Sequence, residues 1–235
     1  MTAALEITGV TKSYQALRPL RLQSLTIGPA ERVAISGVDA GAAEILVNLI
    51  TGATLPDEGQ VRVFGRLTAD VTDSQEWLAW LDQFGIVSTR SVLLDAVTVA
   101  QNLAMPLTLH IDPIPAEFID KVAALARECG ISSADHDWLQ RTTADVPPDV
   151  RVRMHLARAV ALEPSLLLLE HPTATVPEAQ RAAFADQVIA VTEGRGIGAF
   201  VITQDDDFAR RVAQRALRLE PATGALKPVK RGWFR

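Results

Sequence analysis

The sequence predicts an α/β fold in which a parallel sheet, covered by helices, is joined to an antiparallel β portion near the N-terminus. Three observations indicate this class. Short N-terminal segments alternate apolar and polar residues, an apolar strand at residues 32–37 runs directly into a loop and a helix, and helices alternate with apolar strands from residue 149 to residue 220. With 235 residues, the chain is long enough for one large domain.

The antiparallel portion is predicted from segments whose side chains alternate as they do in half-buried strands. These segments are LEITGV at 5–10, RLQSLTI at 21–27 and QVRVFG at 60–65. Between the second and third, RVAISG at 32–37 predicts a buried strand. The helical spacing of AEILVNLITG at 43–52 predicts a helix that Gly52 ends.

The rest of the chain predicts a helical subdomain followed by a return to the parallel sheet. A helix and a short strand are expected between residues 73 and 88, and residues 95–148 are predicted to be helical throughout, in pieces separated by prolines. The later pattern predicts helices at 149–162, 177–194 and 206–214 and strands at 165–170, 198–204 and 215–220. We expect one domain at 1–225 and an unanchored basic tail at 226–235.

Composition and charge narrow the possible functions. The net charge is −5, which gives no general attraction to nucleic acid. The N-terminus does not resemble a secretion signal and no apolar run approaches the roughly 18 residues of a membrane span, so a cytoplasmic location is expected. The single cysteine, Cys129, is interpreted as a buried apolar group without a functional role.

Several phrases, taken with the order of the segments, resemble the nucleotide-binding domain of ABC transporters across nearly the whole chain. The phrases are TKSYQAL at 11–17, LVNLITGATLPDEGQVRVFG at 46–65, ARAVALEPSLLLLEHPTA at 157–174 and VITQDDDFARR at 201–211. LLDAVTVAQNLAMPL at 93–107 is most similar to the subfamily that serves lipoprotein-release, macrolide-export and cell-division permeases. The resemblance implies a P-loop NTPase-like ABC ATPase core with an inserted helical subdomain.

The loop at residues 37–44 departs from the family pattern G-x-x-G-x-G-K-[ST]. Gly37 is kept, with Asp39 and Gly41 at variable positions, but the two inner glycines are alanines, the lysine is Ala43 and the hydroxyl residue is Glu44. Two unit charges ~4 Å apart at an effective dielectric near 20 repel by about 4 kcal/mol. A carboxylate at position 44 is therefore expected to oppose ordinary ATP binding.

The other positions that the resemblance assigns to the nucleotide have also changed. Tyr14 stands where the family's aromatic residue stacks on adenine, and it alone keeps the residue type. Thr89 replaces the glutamine that senses the γ-phosphate side, and Pro177 replaces the aspartate of the loop after the second Walker strand. The magnesium aspartate, the catalytic glutamate and the switch histidine are replaced by Glu170, His171 and Gln204, and the signature sequence L-S-G-G-Q by Val146, Pro147, Pro148, Asp149 and Val150.

Three functions remain open at this point. The favoured interpretation is a non-catalytic subunit that docks on a membrane permease at the inner face of the membrane. It would pair with an intact ATPase chain or with itself, without catalytic residue, metal or cofactor. The second is an ATP- and Mg²⁺-binding subunit with unusual ligation through Tyr14, Glu44 and Glu170. The third is a free-standing scaffold or regulator derived from such a domain.

A permease-docking surface is expected in the segment that follows Thr89. The resemblance implies that a groove beside this segment receives a short helix of the membrane subunit. Four apolar residues here are too closely spaced for all of them to face one core stripe: Leu93, Val97, Val99 and Met105. Some are therefore expected to be exposed for a partner, and the alternative is that they pack inside the subdomain.

Overall fold

The computed structural model describes residues 2–132 and 138–229. The strands are β1 (Leu5–Lys12), β2 (Leu20–Ile27), β3 (Arg32–Ser36), β4 (Glu58–Val63), β5 (Arg66–Leu67), β6 (Phe84–Ser88), β7 (Leu166–Glu170), β8 (Gly198–Ile202), β9 (Arg215–Glu220) and β10 (Ala225–Pro228). The helices are α1 (Ala40–Ile50), α2 (Ser74–Leu81), α3 (Val99–Ala104), α4 (Ala116–Glu128), α5 (Pro148–Val160), α6 (Glu178–Arg195) and α7 (Asp206–Val212), with 3-10 turns at Thr68–Asp70 and Thr143–Asp145.

Two sheets organise these elements. The first has the order β2-β1-β4-β5 with antiparallel pairing, as the alternating N-terminal segments predict. The second has the order β10-β9-β3-β8-β7-β6, and all of its pairs are parallel except the one between β10 and β9. The Gln23 amide, on β2, donates to the Gly224 carbonyl oxygen at 2.8 Å, so the two sheets meet where β2 approaches β10.

The six-stranded sheet is buried on both faces. Every residue of β3, β7 and β8 is buried, and successive side chains contribute to different cores. Leu166 and Leu168 pack into the core that includes α1 and the antiparallel sheet, whereas Leu167 and Leu169 pack into the core formed with α3 to α7. This arrangement explains why SLLLLE is continuously apolar.

The predicted helical subdomain contains less helix than expected. Between residues 95 and 148, the described residues form α3, which has 6 residues, α4, which has 13, and the 3-10 turn. The prediction that this region is helical throughout is therefore wrong. Pro106, Pro113 and Pro115 lie between α3 and α4, and each removes a backbone donor and restricts the residue before it.

The C-terminal segment is anchored further than predicted. Residues 225–228 form β10, which pairs with β9, and the Val229 amide donates to the Ala216 carbonyl at 2.9 Å. The expectation of an unanchored tail is wrong for residues 226–229, and residues 230–235 lie outside the described residues. Within the described ranges, no helix is both long enough and apolar enough to cross a membrane.

Candidate functional site

The loop between β3 and α1 is shaped by packing and by an internal cap. Gly37 has φ of 80°, and a Cβ atom there would lie 2.9 Å from the Leu219 carbonyl oxygen, so only glycine fits without a backbone shift. Asp39 is the N-cap of α1, and its carboxylate accepts a hydrogen bond from the Ala42 amide at 2.8 Å. A carboxylate of the chain therefore lies at the positive end of this helix.

Tyr14 packs on the same loop. A Cβ atom at Gly41 would lie 3.1 Å from Cε2 of the tyrosine ring, and the Tyr14 hydroxyl lies 3.5 Å from Oδ2 of Asp39. Burial, followed by the charge of Asp39, raises the pKa of Tyr14. Tyr14, Gly37 and Asp39 line a cleft of about 460 Å³ on the β9 side of the loop.

Ala43 and Glu44 take opposite orientations at the start of α1. Ala43 is fully buried and packs among the apolar residues beneath the loop. Glu44 is exposed and lines a second cleft of about 760 Å³, which we call the loop cleft. Gly41, Thr89, Glu170, His171 and Gln204 also line the loop cleft, so most of the predicted positions are brought together.

The loop cleft lies where β7 and β8 end beside the start of α1. Glu170 is the last residue of β7 and is only 5% exposed. His171 follows with φ of 43°, and its amide donates to the Ile202 carbonyl at 2.8 Å. The Nε2 atom of His171 is buried and has no hydrogen-bond partner among the described residues. The sequence places these side chains together because parallel strands end at one edge of a sheet.

Arg90 was not predicted, although it connects the two acidic groups of the loop cleft. Its Nη1 donates to Oε1 of Glu44 at 2.8 Å, and its Nη2 donates to Oε2 of Glu170 at 2.5 Å. Its Nε lies 3.2 Å from both Glu170 oxygens. The hydrogen bonds to Glu170 raise the pKa of Arg90, and the charges of Glu170 and Glu44 add to this effect.

The arginine at position 90 indicates this contact only together with the pairing of β6 and β7. Arg90 follows the last residue of β6 by two positions, and Ser88 of β6 pairs with Glu170 of β7. An arginine just beyond one strand end is therefore within reach of a carboxylate that ends the neighbouring strand. Recognising it requires the β6–β7 pairing, which the sequence pattern did not provide.

A second ion pair lines the loop cleft and connects α6 to the start of α7. Arg181, on α6, lies 3.0 Å from Oδ2 of Asp205, and the other Asp205 oxygen caps α7 by accepting from the Phe208 amide at 2.9 Å. Gln204 is exposed at the rim of the cleft. Among the described residues that line the loop cleft, Arg90 and Arg181 carry the positive charge, and both are paired with carboxylates.

The signature position forms the start of α5. Pro147 is the N-cap without a side-chain hydrogen bond, and Pro148 is the first helical residue. Proline has no N–H to offer to a ligand, and the half-buried Asp149 adds negative charge in the first turn. Val146 and Val150 are buried on either side of this turn. Pro177 has the corresponding place at α6, as its N-cap.

The four residues expected at the docking surface differ in how deeply they are buried. Leu93 is 6% exposed and Val99 is fully buried, and both pack into the core around α3 to α5, so for these two residues the packing alternative is the correct one. Val97 and Met105 are half-buried. Val92 and Leu94, which were not singled out, are 70% and 45% exposed.

Segment 91–98, which carries Val92, Leu93, Leu94 and Val97, borders a groove of about 490 Å³. The groove is lined by Val92, Leu93, Pro148, Val152 and His155, among others. Nη1 of Arg158 donates to the Val92 carbonyl at 2.6 Å, and the side chain of Asn102 bonds both the amide and the carbonyl of Leu94 at 3.0 and 2.9 Å. The segment is thus fixed to α3 and α5 while two apolar side chains stay exposed.

The arrangement of sheet, loop and helix defines the class of protein. A central parallel strand that leads through a loop into a helix, beside a cleft at the strand ends, is the arrangement of a P-loop nucleotide-binding domain. The chain belongs to the ABC transporter family, whose model matches residues 20–174. The predicted ABC ATPase core is therefore confirmed as the fold.

Known proteins similar to this chain agree with that family. The lipoprotein-releasing system ATP-binding protein LolD of Alcanivorax borkumensis is 26% identical over 91% of this chain and 93% of its own. CbiO1 of Clostridium perfringens, part of the transporter complex cbiONQ, has a TM-score of 0.80 at 17% identity over 97% and 88% of the two chains. The ATP-binding cassette MJ0796, in a dimer bound to ADP and phosphate, has a TM-score of 0.74 at 18% identity over 97% and 100%.

Proposed function

We propose that this chain is a non-catalytic subunit of an ABC transporter, in which the cassette fold serves for docking rather than for ATP hydrolysis. The observation that carries the proposal is the pair at the start of α1. The family's lysine position is a fully buried alanine, and its hydroxyl position is Glu44, whose carboxylate lines the loop cleft. The loop therefore offers negative charge where a nucleotide requires positive charge.

The side chains present do not fit ATP with Mg²⁺. Asp39 already places a carboxylate at the N-terminus of α1, where a phosphate would bind. Arg90 already pairs with Glu44 and Glu170, the two acidic groups that a metal would use. His171 stands where the family has its catalytic glutamate, and the arginines that line the loop cleft with it, Arg90 and Arg181, are already paired with carboxylates. These contacts support a chain that works without catalytic residues, metal or nucleotide cofactor.

The start of α5 supports the same proposal for the partner's site. In the family, the signature of one chain covers the nucleotide of the other, through a serine and the amides of a helix N-terminus. Here Pro147 and Pro148 supply no N–H, and Asp149 repels phosphate. The chain would therefore weaken both composite sites of a dimer, whether its partner is an intact ATPase or a second copy.

The docking role is assigned to segment 91–98 and its groove. Val92 and Leu94 are exposed apolar side chains on a segment that Arg158 and Asn102 hold in place. A fixed segment loses little conformational freedom when it binds, which favours recognition of a partner. We propose a permease as that partner, which would hold the chain at the inner face of the membrane.

Titration calorimetry and a phosphate-release assay on the purified chain test the proposal. We expect no binding heat for ATP with Mg²⁺ and no hydrolysis above a blank, because stabilisation of charge on the transferred phosphoryl group is nearly the whole of this catalysis. Magnesium-dependent ATP binding would favour the unusual-ligation alternative. Turnover that disappears in His171→Ala would overturn the proposal entirely.

A further inference from the structure

Arg90 lies at the point where the core of the domain continues into segment 91–98. It follows β6, the strand at the edge of the six-stranded sheet, and its guanidinium bonds Glu44 of α1 and Glu170 of β7. One side chain therefore ties the start of the segment to two separate elements of the core. Ser88 adds a local contact, since its hydroxyl accepts from the Arg90 amide at 3.1 Å.

The two carboxylates depend on Arg90 to different degrees. The side chain of Glu170 is 7% exposed, whereas that of Glu44 is 48% exposed. Removing the partner of a buried charge is much more costly than removing the partner of an exposed one, because water does not replace the lost contacts. Glu170 is thus the main anchor for Arg90, and Glu44 adds a second contact at the rim.

We infer that Arg90 is a positioning residue, which holds the proposed docking segment against the core and makes its orientation independent of nucleotide and metal. The guanidinium supplies the positive charge that two facing carboxylates require, as a divalent cation would. The inference rests on the proposed function, because it describes how the docking surface is kept in shape when no ligand binds in the loop cleft.

Hydrogen exchange on the full chain tests this inference. The informative amides are those of Ser91 and Leu94, which donate to the Ser88 carbonyl and to Oδ1 of Asn102. In Arg90→Gln, we expect both amides to exchange about tenfold faster than in the wild type, because the segment opens more often. Arg90→Lys should recover part of the protection, since a lysine can pair with one carboxylate.

Arg211→Ala is the matched control. Arg211, on α7, makes a bidentate pair with Asp186 of α6 at 2.7 and 2.6 Å. Neither residue belongs to segment 91–98, so loss of this pair should leave the exchange rates of the Ser91 and Leu94 amides unchanged.

The results separate this inference from the proposed function. Unchanged exchange at Ser91 and Leu94 in Arg90→Gln would overturn the inference, even if the wild type binds no ATP. A wild type whose exchange at these amides responds to ATP with Mg²⁺ would overturn the proposed function, and with it the independence from nucleotide. If Arg90→Gln does not fold, Arg90→Lys provides the comparison, and exchange at both amides equal to that of the wild type would overturn the inference.

Discussion

His155 gives α5 a titrating group in the groove beside segment 91–98. Burial lowers its pKa to about 4 from the ordinary 6.5, and the charges of Arg158 and Arg151 add to the effect. The Nδ1 atom has no partner among the described residues. Between about pH 4 and pH 6.5, His155 is therefore mostly neutral in the folded chain and mostly protonated in the unfolded chain.

This group should make stability depend on pH. Because the folded pKa lies below the unfolded one, the full stability is present above pH 6.5 and is lost as the pH falls towards 4. We expect this group to lower the free energy of unfolding by about 1–2 kcal/mol between pH 7 and pH 5. Urea unfolding of the wild type and of His155→Gln at both pH values measures this. Equal losses in the two proteins would contradict the assignment.

The loop between β3 and α1 can be given the family's residue types by two substitutions. Ala43→Lys with Glu44→Ser restores the family's residue types: the serine removes a repelling carboxylate, and the lysine has to extend from the buried position of Ala43 to bring its charge to the loop, while Arg90 keeps its contacts to Glu170. Binding of ATP with Mg²⁺ should improve by about 100-fold or more, since removing a charge repulsion of a few kcal/mol has that size. Calorimetry measures the binding, and Glu44→Ser alone should show a smaller gain.

Hydrolysis should nevertheless stay absent in the repaired loop. Pro147 and Pro148 still block the start of α5, and His171 and Gln204 still occupy the positions of the catalytic glutamate and the switch histidine. A phosphate-release assay checks this expectation. Steady turnover in the double variant would show that these other positions matter less than their chemistry suggests.

The elements differ in how well the sequence predicts them. β3, β7 and β8 are buried on both faces, so their continuous apolar runs leave little choice of structure. The region between α3 and α4 was mispredicted because apolar residues at helical spacing are interrupted by prolines, and local pattern does not reveal how much chain each proline removes from a helix. The local pattern likewise does not reveal which of the four apolar residues near α3 are buried, since burial of Leu93 and Val99 depends on packing in the core around α3 to α5.

The overall fold was predictable from the sequence, whereas the side-chain contacts of the loop cleft were not. The order of elements, with its resemblance to one family, fixes which strand ends meet, and so it brings Glu44, Glu170 and His171 to one cleft. The ion pairs of Arg90 depend on side-chain reach between elements far apart in sequence. Nothing in the local pattern near residue 90 specifies them.

Attachment to a membrane partner is the prediction for the whole molecule. Val92→Glu with Leu94→Glu should reduce the membrane-bound fraction several-fold in cells that express the chain natively, because two exposed apolar contacts are replaced by charges. The melting temperature should stay close to that of the wild type. Sedimentation of membranes followed by immunoblotting measures the fraction.

Leu78→Glu is the control for that experiment, since Leu78 is 59% exposed on α2, outside segment 91–98. It should leave the membrane-bound fraction unchanged. If the Val92 and Leu94 variant sediments like the wild type, docking does not use this surface. If this variant loses both membrane attachment and its cooperative melting transition, Val92 and Leu94 are needed for packing of the fold and not for docking.

The position of β3 in the sheet has a consequence for synthesis of the chain. Both of its neighbours come late in the sequence, because Arg32 pairs with Ala199 and Ser36 pairs with Arg218. A ribosome therefore synthesises β3 and α1 long before the strands that flank β3, and this apolar strand stays unpaired until β8 and β9 have been translated. The central sheet is thus completed only after β8 and β9 have been synthesised, and until then β3 exposes an apolar edge that favours misassociation.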